Sequence, residues 1–244
     1  MEAPMNEVWT GIEPLSRSRA KLYFDYPSRI RSYKWWWFFG ILTVWGTFGI
    51  MLIVWAIISK KKINKECPRD QEMEAEYARV ADELEAEALM ASSFGEDDLT
   101  RETDVVWGPD IHTYDKFCPY RSRKGADDDR YRGNQRAILV ILYGDNRIMS
   151  AQTTYAIETG ESHNILTKEF FYKDIVGVKT SLTEFSLDTT GGYSIKVPLA
   201  LSDQKKEEFL KKNVGKEFLE ESGDMDLANA AVRNVRSMLQ DKEG

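Results

Sequence analysis

The side chains able to do chemistry are few and scattered. His112 and His163 stand far apart without an HExxH or HxE partner, so no zinc-dependent hydrolysis is spelled out. The cysteines, Cys67 and Cys118, lack metal-ligand spacing, and there is no GxSxG, no P-loop and no GxGxxG opening a helix. Asp127, Asp128 and Asp129 offer oxygen ligands to a hard cation, but adjacent aspartates do not give the alternating geometry of a calcium loop, and a hydrated turn is the simpler reading. Arg121, Arg123, Lys124, Arg130 and Arg132 surround those acids, which largely cancel them. The expectation is a protein that is not an enzyme, with no catalytic, metal-binding or cofactor-binding residues and no cofactor.

Composition narrows the partners. The chain has 244 residues and a formal net charge of −7, which disfavours nucleic acid because phosphate binding needs a net basic face. Both cysteines are followed by proline and imply no disulfide framework, which agrees with a reducing compartment. Cys67 follows a lysine cluster, where acylation competes with the reading of an ordinary free thiol.

The dominant element is residues 35–58, WWWFFGILTVWGTFGIMLIVWAII, about 24 residues without a charge. As one helix they would rise roughly 36 Å, more than the apolar core of a bilayer. They therefore predict a single-pass transmembrane helix in the cell membrane. Trp35, Trp36 and Trp37 at one end and Trp55 near the other suit the headgroup layer, and Lys60, Lys61 and Lys62 close the run with cations that reach phosphates. A signal peptide fits less well, since the run is long, starts after a charged tail and lacks a small-residue cleavage site. The basic count is higher on the carboxyl-terminal side and favours a cytoplasmic location for that part. Gly40, Thr43, Gly46, Thr47 and Gly49 form a strip of small residues that would let another helix approach, as an oligomerisation face or as a common feature of membrane helices.

Around this element the chain divides by composition. Residues 1–34 form a basic and aromatic tail of irregular structure, in which Pro27 forbids a long uninterrupted helix. Residues 59–69 are a basic juxtamembrane segment. Residues 70–98 are an acidic amphipathic helix, with Met73, Tyr77, Val80, Ala81, Leu84, Ala88 and Ala91 at three-to-four spacing. Its narrow apolar stripe packs on a neighbour or on the downstream domain, or else the helix is a solvated stalk. Residues 99–135 read as linker and loop, with a short strand at Val105–Trp107.

From residue 136 to 241 the period becomes extended. The run 137–143, AILVILY, suits a buried strand, and Met149, Ala151, Thr153, Tyr155 and Ile157 alternate with Ser150, Gln152 and Thr154. Further strands follow over residues 165–172, 175–180, 183–188 and 193–199, with Thr189, Thr190, Gly191 and Gly192 as a hairpin. Residues 226–240 carry Leu227, Ala231, Val235 and Met238 on one face of a final helix, capped by Asp224 or Asp226, and the sheet is its obvious partner.

The segments EFFYKDIVGVKTS, FSLDTTGGYSIKV and LANAAVRNVRSML, within residues 135–241, resemble bacterial pleckstrin-homology-like (PH-like) domains. The resemblance implies an α+β soluble domain, an antiparallel PH-like β-barrel or rolled sheet capped by a C-terminal helix. It implies a non-enzymatic module that binds proteins or lies near membranes, whereas recognition of a specific lipid headgroup is disfavoured because the basic residues precede the first firm strand. The expected function is a membrane-anchored interaction module that holds or recruits a protein partner. The alternative is a structural subunit of a membrane assembly packed through the Gly/Thr face, with an unrecognised enzyme third. The expected partners are the lipid bilayer and either a protein or a second copy of the chain.

Overall fold

A computed structural model of the chain describes residues 14–42, 47–92, 98–110, 120–128, 130–200, 206–207 and 221–243. Two compact units emerge, Met1–Ala75 and Glu76–Gly244.

In the first unit, helices α1 (Arg17–Leu42) and α2 (Thr47–Glu66) run antiparallel. Tyr26 meets Asn64, while Tyr33 and Trp36 meet Trp55, so residue numbers rise on one arm as they fall on the other. This overturns the transmembrane helix expected over residues 35–58, because no helix among the described residues is long and apolar enough to cross a membrane. The reason is the division of the apolar run between two arms. Its share of α1 beyond Lys34 rises about 12 Å and its share of α2 before Ser59 about 18 Å, against about 30 Å of hydrocarbon. Single-pass cell-membrane localisation is corrected with it, and so is the cytoplasmic assignment of the carboxyl-terminal part, which presupposed a crossing.

Helix α1 also occupies half of the stretch expected to be an irregular tail. Pro27 lies inside it and cannot donate to the Tyr23 carbonyl, so one rung is lost, but the helix continues on both sides. The Ser28 hydroxyl donates to the Asp25 carbonyl at 2.7 Å in this turn. The open end of the hairpin is polar and well satisfied. There the Tyr23 hydroxyl donates to Asp70 at 2.7 Å and Arg19 donates to Glu72 at 2.5 Å, around buried Ala20, Phe24, Ile63 and Met73. Asp70 and Glu72 belong to α3 (Asp70–Ala91), whose acidic first turn suits the positive end of its dipole. The boundary between the units falls within α3.

The described residues of the second unit form nine strands: β1 (Asp104–Pro109), β2 (Ser122–Lys124), β3 (Tyr131–Gly133), β4 (Gln135–Tyr143), β5 (Arg147–Ala156), β6 (Glu161–Phe171), β7 (Ile175–Thr180), β8 (Glu184–Thr189) and β9 (Ser194–Pro198). They form antiparallel sheets ordered β1-β4-β5-β6, β2-β3 and β7-β8-β9. Every residue of β4 is buried, as its unbroken apolar run requires. Ala137, Leu139, Ile141 and Tyr143 point into a core shared with Phe185, Leu187 and Val197 of the three-stranded sheet. The alternate residues face the other way, where Arg136 lies over the Tyr77 ring of α3. The terminal helix α4 (Met225–Glu243) closes the core with Ala228, Ala231, Val235 and Met238. Asp224 caps it, its carboxylate accepting from the amides of Asp226 and Leu227 at 2.9 and 3.2 Å.

The PH-like barrel or rolled sheet expected from the resemblance is corrected to three separate antiparallel sheets among the described residues, which do not close into a barrel. The edges of β1 and β9 approach so closely at Gly108 that a Cβ there would lie 1.8 Å from the Pro198 carbonyl oxygen, yet the two strands do not pair. Pro109 and Pro198 lie at these edges and have no amide to donate, which denies a ladder two of its rungs.

Candidate functional site

The residues first considered for chemistry do not assemble. His112, Cys118 and Asp129 lie outside the described residues. His163 is on β6, with Nε2 3.9 Å from Glu161 on the same strand. Cys67 is a half-buried cysteine whose thiol is directed at the Pro68 carbonyl, 3.7 Å away. Asp128 is engaged by Arg132 in a two-pronged pair at 2.9 and 2.5 Å, and that guanidinium holds its carboxyl down to about 2. Among the described residues no group of three or more His, Cys, Asp or Glu side chains is placed to hold a metal ion.

Within the second unit several buried polar groups bind one another. The Arg136 guanidinium is stacked between the rings of Tyr77 and Trp107, 4.0 Å from each centroid, and pairs with Glu221 at 2.5 Å. Glu221 also accepts from the Gly133 amide at 2.8 Å. Nearby, the Tyr155 hydroxyl donates to Glu76 at 2.8 Å, and burial together with that carboxylate pushes the phenol upward. Asp104 accepts from the Tyr143 hydroxyl at 2.5 Å and from the Asn234 amide at 2.9 Å, fastening α4 to β1 and β4. Each network satisfies groups that would otherwise be costly to bury, which is a structural role.

The hairpin of the first unit differs in kind. Beyond its polar open end the arms carry large apolar side chains that stay more than half exposed: Trp35, Phe38 and Phe39 on α1, and Ile50, Met51, Trp55 and Ile58 on α2, all between 51 and 71 % exposed. The pairing of the arms uses their inner faces, where Ala56 is buried and Trp55 touches Tyr33 and Trp36 edge-on. Contiguous apolar surface of this kind on a folded chain marks a contact site rather than a core. Below it the arms turn cationic: Arg29, Arg31 and Lys34 on α1 and Lys60, Lys61, Lys62 and Lys65 on α2 are all exposed. The antiparallel alignment sets Arg29 and Arg31 at the level of the α2 lysines.

Trp35, Trp36, Trp55, Lys60, Lys61 and Lys62 are thus all on this hairpin, on two arms rather than along one helix. Thr43 and Gly46 of the small-residue strip lie outside the described residues, as do the side chains at Trp37, Gly40, Thr47 and Gly49. Tyr33, Arg29 and Arg31, which flank the apolar run in sequence, lie on α1 of the same hairpin. No protein-family model, no curated protein and no solved structure matches the chain.

Proposed function

We propose that the protein is a non-enzymatic interaction module that attaches to a lipid bilayer from one side through its helical hairpin and carries a sheet-and-helix body that holds a protein partner there. The observation that carries this reading is the exposed apolar surface of the two arms above a belt of cations. From the level of Arg31 to the end of α1, and from Lys60 to the start of α2, each arm rises about 17 to 20 Å. That exceeds one leaflet of hydrocarbon, about 15 Å, and falls well short of two. The hairpin therefore embeds and returns. Its aromatic rings near the cations match the headgroup boundary.

Two features of the body support a partner protein. The outer edge of β6 is unpaired among the described residues, and Ile165 and Leu166 on it are about half exposed, so an extended segment could add to the sheet there. The order of a four-stranded sheet, a three-stranded sheet and a terminal helix also supports the resemblance to PH-like modules, in an open rather than a barrel form. The test is flotation of the full chain with lipid vesicles. The chain is expected to rise with the vesicles, and Trp35→Ser with Trp55→Ser to leave most of it behind. A chain that stays at the bottom of the gradient with every vesicle composition would refute the reading.

A further inference from the structure

The apolar arms account for embedding, but they do not account for the belt below them. Arg29, Arg31 and Lys34 lie on one arm and Lys60, Lys61 and Lys62 on the other, and all six are exposed. Two acids lie among them. Asp25 is 3.9 Å from Arg29 and Glu66 is 3.8 Å from Lys62, separations at which solvent screens the pairs strongly. The belt therefore keeps a large positive excess on a chain whose formal net charge is −7. That charge is concentrated at the level where the arms would leave the hydrocarbon. Resting on the one-sided attachment argued above, we infer that the belt selects bilayers with anionic headgroups, by charge density rather than by the identity of any one headgroup.

Two comparisons on the molecule favour this occupant over a second copy of the chain. Side-by-side pairing of hairpins would bring one belt against another, and like charges at contact oppose association. In the basic group around β2 and β3, by contrast, Arg132 is paired with Asp128 and Arg121 with Glu158 at 3.3 Å. The belt is different because its cations outnumber its acids and reach outward. Lysine stems are long enough to cover apolar surface while the ammonium reaches phosphate. Each basic residue near an anionic membrane surface is worth about fivefold in affinity, so three lysines contribute about a hundredfold.

The experiment measures binding of the full chain to vesicles of phosphatidylcholine alone and to vesicles containing one-third phosphatidylglycerol, at low and high salt. The native chain is expected to bind the anionic vesicles at least tenfold more tightly, with the advantage shrinking as salt shortens the screening length. Lys60→Gln, Lys61→Gln and Lys62→Gln together are expected to remove most of that advantage. Circular dichroism of the variant checks that its helices persist. Equal binding of the native chain to both vesicles, or a triple variant that keeps the full advantage, would overturn the charge selection and leave the embedded hairpin standing. Failure to bind either vesicle would overturn both. An anionic advantage that survives Trp35→Ser with Trp55→Ser at full strength, with neutral binding absent in the native chain, would keep the charge selection and overturn the embedding.

Discussion

Strand β4 and the exposed arms of α1 and α2 are both apolar runs, and they end in opposite conditions. Each residue of β4 is buried, and the one charge within it, Arg136, is enclosed by two rings and a carboxylate. On the arms the large apolar side chains are exposed and the charges beside them stand in the open. A run that meets its partner inside the same unit is a core. A run of equal hydropathy without such a partner must find one elsewhere, because leaving it in water forfeits roughly 25 cal/mol for each Å² of apolar area. The contrast separates what holds this protein together from what it presents to others.

The sharpest way to break that contrast is at Arg136. Replacing it by alanine leaves Glu221 buried without its guanidinium, and urea unfolding of Arg136→Ala is expected to show a loss of about 3–5 kcal/mol. A loss below about 1 kcal/mol would mean the pair is not enclosed as described. A smaller effect is expected at the close approach of β1 and β9. Gly108→Ala places a methyl group against the Pro198 carbonyl and should cost about 1–3 kcal/mol in the same assay. Next comes the pair of Arg132 on β3 with Asp128 before it. Arg132 holds the Asp128 carboxyl near 2, below its ordinary value of 3.8, so the carboxylate form is favoured in the folded chain. The stabilisation is complete above the ordinary value and disappears as the pH falls through about 2. Asp128 is 36 % exposed, so Asp128→Asn should cost at most about 1 kcal/mol near neutral pH, with the gap from the native chain closing between pH 4 and 2. The smallest effect is expected on the arms themselves. Met51, 71 % exposed, contributes little to folding, and Met51→Ser should change the unfolding free energy by less than about 0.5 kcal/mol while weakening vesicle binding. A large loss of stability there would show that the arm is buried against the rest of the chain.

Much of the sheet unit was legible in residue order. The alternation in β5, the apolar run in β4 and the periodic face of α4 each state which side is buried, and local pattern suffices for that. Strands β2 and β3 were not legible: they are three residues each, rich in charge, and carry too few alternations to register against a loop. Pro27 argued against a helix, and the neighbouring turns of α1 outweighed one missing hydrogen bond. The largest departure came at residues 35–58. Hydropathy reports how much apolar surface a run carries and says nothing about where it turns, and no proline marks the division between Leu42 and Thr47. The tryptophans and lysines of the candidate site were visible as types. Their sharing between two antiparallel arms was not, because it depends on contacts such as Tyr33 with Trp55 that join distant positions. The Arg136–Glu221 pair was hidden for the same reason, its members standing 85 positions apart.

The central claim is that both arms enter and leave on one side. Single cysteines at Ser18→Cys and Lys65→Cys, in a chain with Cys67→Ser and Cys118→Ser, place one label near the start of α1 and the other near the end of α2. With each variant bound to sealed anionic vesicles, a membrane-impermeant maleimide added outside is expected to label both positions fully before detergent is added. Protection of one position until the vesicles are lysed would show that the chain crosses the bilayer and would contradict the one-sided hairpin.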